Sequence, residues 1–98
     1  MKSKQQIIED ITTHIQKRGG HPDTWYVGTS ADVRSALFGQ HKVKEKGDRW
    51  IGRRADSAVA AREVQRHFID ALATDGKAET DESADIVYAY KKAPHTWP

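Results

Sequence analysis

The chain has 98 residues, 37% hydrophobic, 31% charged and 8% aromatic, with a formal net charge of +2. That composition is of one small globular domain, expected to span residues 1–98, and not of a disordered or fibrous chain. The absence of Cys excludes disulfides, thiolate-bound zinc, iron–sulfur clusters and thiol catalysis.

Ser3 and Gln6 form an S-x-x-Q capping box at the start of a helix within residues 1–20. Ile7, Ile8, Ile11 and Ile15 give that helix one apolar face. Lys17 and Arg18 suit its negative end, and Gly19-Gly20 stops it. Residues 21–23 (HPD) read as a turn, and the β-branched and aromatic run 24–28 (TWYVG) as a strand. Thr29-Ser30, with Asp32 close behind, starts a second helix striped by Val33, Ala36 and Leu37 and ended by Gly39. Residues 42–48 are a polar loop. Residues 49–55 (RWIGRRA) read as a second strand, weakened by Gly52. Asp56 or Ser57 caps a third helix whose inward face is Ala61, Val64, Phe68 and Leu72, closed by Asp75-Gly76. An acidic loop leads to the apolar strand 86–90 (IVYAY). Residues 93–98, with two Pro, read as a frayed tail.

The order α-β-α-β-α-β predicts an α/β domain of the α+β-like kind, a small three-stranded mixed sheet with helices mainly on one face. The expected strand order is 24–28, 85–91, 49–55. The outer two should be parallel to each other, with the most apolar strand antiparallel between them. The expected core is Ile8, Ile11, Ile15, Val27, Leu37, Ile51, Val64, Phe68, Leu72 and Val87. No apolar run approaches the ~20 residues of a membrane span, and MKSKQQIIED lacks a signal-peptide core. A cytoplasmic protein without a membrane partner is the expectation.

Charge is divided. Residues 41–54 carry six basic and two acidic groups, and residues 74–85 five acidic and one basic. Lys42, Lys44, Lys46, Arg49, Arg53 and Arg54 would follow a phosphate backbone of DNA or RNA. If the acidic segment faces them, the two fields cancel. Arg53 and Arg54 alternate along a strand, so only one can face a given surface. Trp25 and Trp50 each open a strand, where a Trp supplies core area or stacks on bases. Glu63, His67 and Asp70 share one flank of the third helix, a spacing for a divalent ion or for local hydrogen bonds.

Tyr26-Val27-Gly28, the helix after it, His41, and Glu63 in the helix after the second strand resemble the second half of the GIY-YIG endonuclease signature. The resemblance spans about residues 24–68. It implies Tyr26 as the YIG tyrosine, His41 as the family's His, and Glu63 as its metal-binding Glu with Mg²⁺. The GIY strand that precedes YIG in the family is absent here. Tyr88 or Tyr90, in the last strand, would replace its tyrosine, the activator of the attacking water, in a permuted sheet. Counted from Tyr26-Val27-Gly28, the family's Arg falls on Ala36. Arg34 lies two residues earlier, about 200° round a helix. The resemblance therefore implies the scaffold with a damaged nuclease site.

Three functions follow as expectations. The first is a small nucleic-acid-associated module without nuclease activity and without a required cofactor. The second is a divergent Mg²⁺-dependent nuclease using Tyr26, Tyr88, His41 and Glu63. The third is a protein-interaction domain, dimeric through a sheet edge or face.

Overall fold

Helix α1 (Lys4–Lys17) begins on the capping box. Gln6 N–H donates to Ser3 Oγ, and Ser3 N–H donates to Gln6 Oε1, both at 3.2 Å. The architecture is that of a computed structural model describing residues 3–18, 21–44, 46, 49–76 and 83–96. Gly19-Gly20, the expected helix stop, lies outside them. Ile7, Ile11 and Ile15 form the buried row. Ile8, expected in the core, is half-buried. One residue is about 100° of helical rotation, enough to carry Ile8 to the edge of the row.

A 3₁₀ turn (Pro22–Thr24) feeds strand β1 (Trp25–Ser30). The strand outruns its expected end, because Thr29 and Ser30 pair with Val87 and Ile86. Asp32, and not Thr29-Ser30, caps the next helical segment. Its Oδ1 accepts the N–H groups of Arg34 and Ser35 at 3.1 and 3.2 Å. That segment continues as a π-helix (Ser35–Gln40) that passes through Gly39. His41 N–H closes it on Ala36 O, five residues back, at 2.9 Å.

Strand β2 (Trp50–Arg54) leads to helix α2 (Ala58–Leu72). Ser57 is the cap, its Oγ accepting Ala60 N–H at 3.1 Å. α2 closes on Ala73, in the left-handed region at φ 59°. A side chain there meets its own backbone, and glycine does not. Ala73→Gly should therefore raise stability by about 1 kcal/mol, read as a higher urea midpoint at unchanged slope. Asp75 does not close the helix. It runs beside β1, exchanging Val27 N–H to Asp75 O and Asp75 N–H to Trp25 O, both 2.9 Å.

Strand β3 (Ile86–Lys91) is the centre of the sheet, in the order β1-β3-β2. Both pairings are antiparallel, so the outer strands run parallel but never touch. The strand order is the one expected. The sheet itself is antiparallel, not mixed, because β3 separates the only parallel pair among its three strands. The chain does not fray after β3: Lys92 N–H donates to Thr24 O at 2.8 Å, and Thr96 is buried in a turn on Ala93. Residues 97–98 lie outside the described part.

α1 and α2 cover one face of the sheet. Ile7, Ile11 and Ile15 meet Val64 and Phe68 over Trp25, Val27, Ile51, Val87 and Ala89. Leu72, expected inside, is half-buried against that cluster. The π-helix and the residues after it cover the opposite face, packing Ala36, Leu37 and Val43 on Tyr26, Tyr88 and Tyr90. The helices are thus divided between both faces. Among the described residues, no helix is long and apolar enough to cross a membrane.

Candidate functional site

The face beneath the π-helix is built from two cross-strand rows. Tyr26, Tyr90 and Trp50 make one; Gly28, Tyr88 and Gly52 make the other. Tyr88 thus has a glycine on each side. Its ring lies over Gly28, where an added Cβ would come within 2.5 Å of Tyr88 Cζ. Val33 fills the space over Gly52, 3.2 Å from where a Cβ would stand. These two glycines let a large ring lie flat in the middle of a narrow sheet.

His41 is carried to this face by the π-helix. Its extra residue per hydrogen-bonded turn sets His41 below Ala36 rather than at the α-helical phase. The imidazole sits across β3, with Nε2 2.7 Å from Tyr88 Oη and Nδ1 3.1 Å from Tyr90 Oη. A neutral imidazole carries one donor and one acceptor nitrogen, so one phenol donates and the other accepts. Tyr26 packs on the same ring at 4.7 Å and stacks on Tyr90 at 5.3 Å between centroids. Burial, then the neighbouring Tyr26 and Asp75, push the Tyr90 hydroxyl far above its ordinary value. Tyr90 keeps its proton. The cluster is closed: Tyr88 is 4% exposed, Tyr90 0% and His41 8%.

The remaining expected catalytic group is elsewhere. Glu63 stands on α2, across the sheet from His41, and pairs with Lys4 of α1. Tyr26, Tyr88 and His41 are brought together, and Glu63 is not. The reason is topological: α2 follows β2 on the α1 side, while the π-helix crosses the other. His67 lies edge-on to Phe68, and Asp70 is exposed. Among the described residues, no three His, Asp or Glu side chains converge as a metal site.

The expected basic set also divides. Lys42, Lys44, Lys46 and Arg49 are exposed around the end of the π-helix and the start of β2. Arg53 turns to the α1 side and pairs with Asp10 at 3.0 Å. Arg54 pairs with Asp85, and Lys92 with Asp75. Strand alternation turns Arg53 and Arg54 to opposite faces, and each meets an acid of its own fold. Most of the acidic loop, residues 77–82, lies outside the described residues.

A cleft of about 460 Å³ runs between α1 and β2, lined by Asp10, His14, Lys17, Arg18 and Arg53 among others. Burial, then Arg18 and Arg53, hold the His14 imidazole below its ordinary value. Its charges are mixed, and its central Arg53 is already paired.

Both sheet faces are covered, and Val59 is the only large exposed hydrophobic side chain among the described residues. The pairing of His41 with both tyrosines was not legible from spacing; the one signal was the Tyr-x-Tyr repeat of β3, which places two phenols on one face. No family model, curated protein or solved structure matches the chain.

Proposed function

We propose that this domain binds nucleic acid on a GIY-YIG-like sheet of permuted order and does not cut it. The observation that carries the reading is the β1–β3 pairing. It sets Tyr26-Val27-Gly28 beside the Ile86-Val87-Tyr88 strand and puts both tyrosines under His41. On this reading the last strand takes the part of the family's GIY strand. Four exposed cations, Lys42, Lys44, Lys46 and Arg49, begin at the very next residue after His41. Against cleavage stand Glu63 on the far side, buried Ala36 in place of the family's Arg, and hydroxyls that no phosphodiester reaches. In-line attack needs reacting atoms about 3–3.5 Å apart. Neither Mg²⁺ nor another cofactor enters this reading, and its setting is the cytoplasm.

Binding should be electrostatic and steep in salt. Engaging about four phosphates gives a log–log slope of roughly −3 to −4. Reversing Lys42, Lys46 and Arg49 to Glu should abolish retention on a polynucleotide column at low salt. Unchanged retention of that variant, or none of the parent, would refute the reading. One observation favours the alternative, a divergent nuclease: the 2.7 Å contact between an imidazole and a phenol is the geometry of a general base on its acid. Mg²⁺-dependent cleavage by the parent, lost in the variant of the exposed Glu63, Glu63→Gln, would transfer the assignment to it.

A further inference from the structure

We infer that Arg34, Phe38 and Trp50 form a base-stacking platform that selects single-stranded over double-stranded nucleic acid. The inference rests on the nucleic-acid reading above and names the form of polymer it takes.

The platform is built from two elements. Arg34 and Phe38 are four apart at the start of the helical segment, so they share its flank. The Arg34 guanidinium lies 5.5 Å over the Phe38 ring centre. Phe38 in turn meets Trp50 of β2 edge to face, 5.2 Å between centroids at 82°. Both rings pack against the tyrosine cluster and are only partly buried. Trp25, the Trp that opens the other outer strand, is fully buried, whereas Phe38 and Trp50 both keep part of their surface in solvent. They are the margin of the tyrosine cluster, not its interior.

Charge says what would lie on them. Lys42, Lys44 and Lys46 follow the helix directly, and Arg49 precedes Trp50. No ion pair joins Lys42, Lys46 or Arg49 to another described residue, while Lys4, Arg53, Arg54 and Lys92 each have an acidic partner. Partly exposed aromatic rings rimmed by cations suit a ligand that is flat, apolar and periodically anionic. An acidic peptide offers the charge without the flat faces. A duplex offers its phosphates but keeps its bases stacked on one another. A single strand offers both, with little sequence preference, because every base has a π-face. The six-residue π-helix is also too short to enter a major groove as a recognition helix.

The test compares a single-stranded homopolymer, a hairpin duplex of equal length and polyglutamate at low salt. It uses the parent and the Phe38→Leu and Trp50→Leu variants, which keep apolar volume and remove the rings. Each variant should weaken single-strand binding by about 5- to 150-fold, with the salt slope and the duplex affinity unchanged. Reversing the lysines should weaken both. Equal affinity of the parent for strand and duplex, with no effect of either Leu variant, overturns the platform and leaves the nucleic-acid reading standing. Polyglutamate binding as tightly as the strand overturns the platform and the nucleic-acid reading with it. Binding of neither polymer to the parent removes both proposals. If the Leu variants do not fold, the parent in a Trp97→Phe background supplies the readout. Stacking on Trp50 should quench emission with the single strand and not with the duplex, while the buried Trp25 stays silent. Equal quenching by both polymers, or none by either at saturation, counts against the platform.

Discussion

Phe68→Ala should lower the unfolding free energy by about 3–5 kcal/mol. Phe68 has no exposed surface and joins the α1 isoleucines to the underside of the sheet. No other phenylalanine is fully buried, and Phe68 is the largest side chain that α2 buries. A domain of this size has only about 5–15 kcal/mol in all, so the variant should sit near its midpoint in modest urea. Val59, on the same helix and 56% exposed, is the control. Val59→Ser should shift stability by no more than about 0.5 kcal/mol, as exposed sites do. A loss below about 1 kcal/mol at Phe68 would mean that α2 packs on another face.

The strand order was legible because two independent signals agreed on it. Residues 86–90 are the most apolar strand, so they belong where both neighbours shield them, and the short β-α-β unit leaves just one gap to fill. The helix faces were legible to within one residue, which is why Ile7 and not Ile8 is inside. The π-helix was not legible. Its apolar residues Ala36 and Leu37 satisfy α-helical and π phase equally, and only the distant Tyr88 and Tyr90 decide that His41 must come round by five. Glycine was read twice in the wrong sense. Gly52 looked like a weakness of its strand and Gly39 like a stop; the first makes room for Val33, and the helix passes through the second. What a glycine is for depends on which side chain leans over it, and that is a property of register, not of local sequence. The same limit held for the site. Tyr26, Tyr88 and His41 were named from a motif, but the removal of Glu63 to the far face follows from the crossing of α2, which no spacing encodes.

His41→Ala should cost about 2–6 kcal/mol, because it strands two buried phenols at roughly 1–3 kcal/mol each. Tyr88 and Tyr90 are all but sealed from water, so no solvent replaces the lost imidazole cheaply. Gly28→Ala attacks the same network from below. The new methyl must displace the Tyr88 ring, which cannot move without leaving His41 Nε2. The two variants should therefore be sub-additive when combined, since each removes the same bond. The triple change His41→Leu, Tyr88→Phe, Tyr90→Phe removes the donors and acceptors of both bonds together and should cost much less than His41→Ala. Alkali supplies an independent check. Burial raises the Tyr90 hydroxyl, so the folded state holds its proton while an unfolded tyrosine ionises near pH ~10. The contribution is present in full below that pH and is lost as pH rises toward the folded-state value. The parent should lose stability above pH ~10, and Tyr90→Phe should lose less. If the alkaline limb is the same in both, Tyr90 is not the group that titrates late. If the triple variant is as costly as His41→Ala, the penalty lies in shape and not in stranded hydroxyls, and the cluster is a packing unit whose polar atoms are incidental.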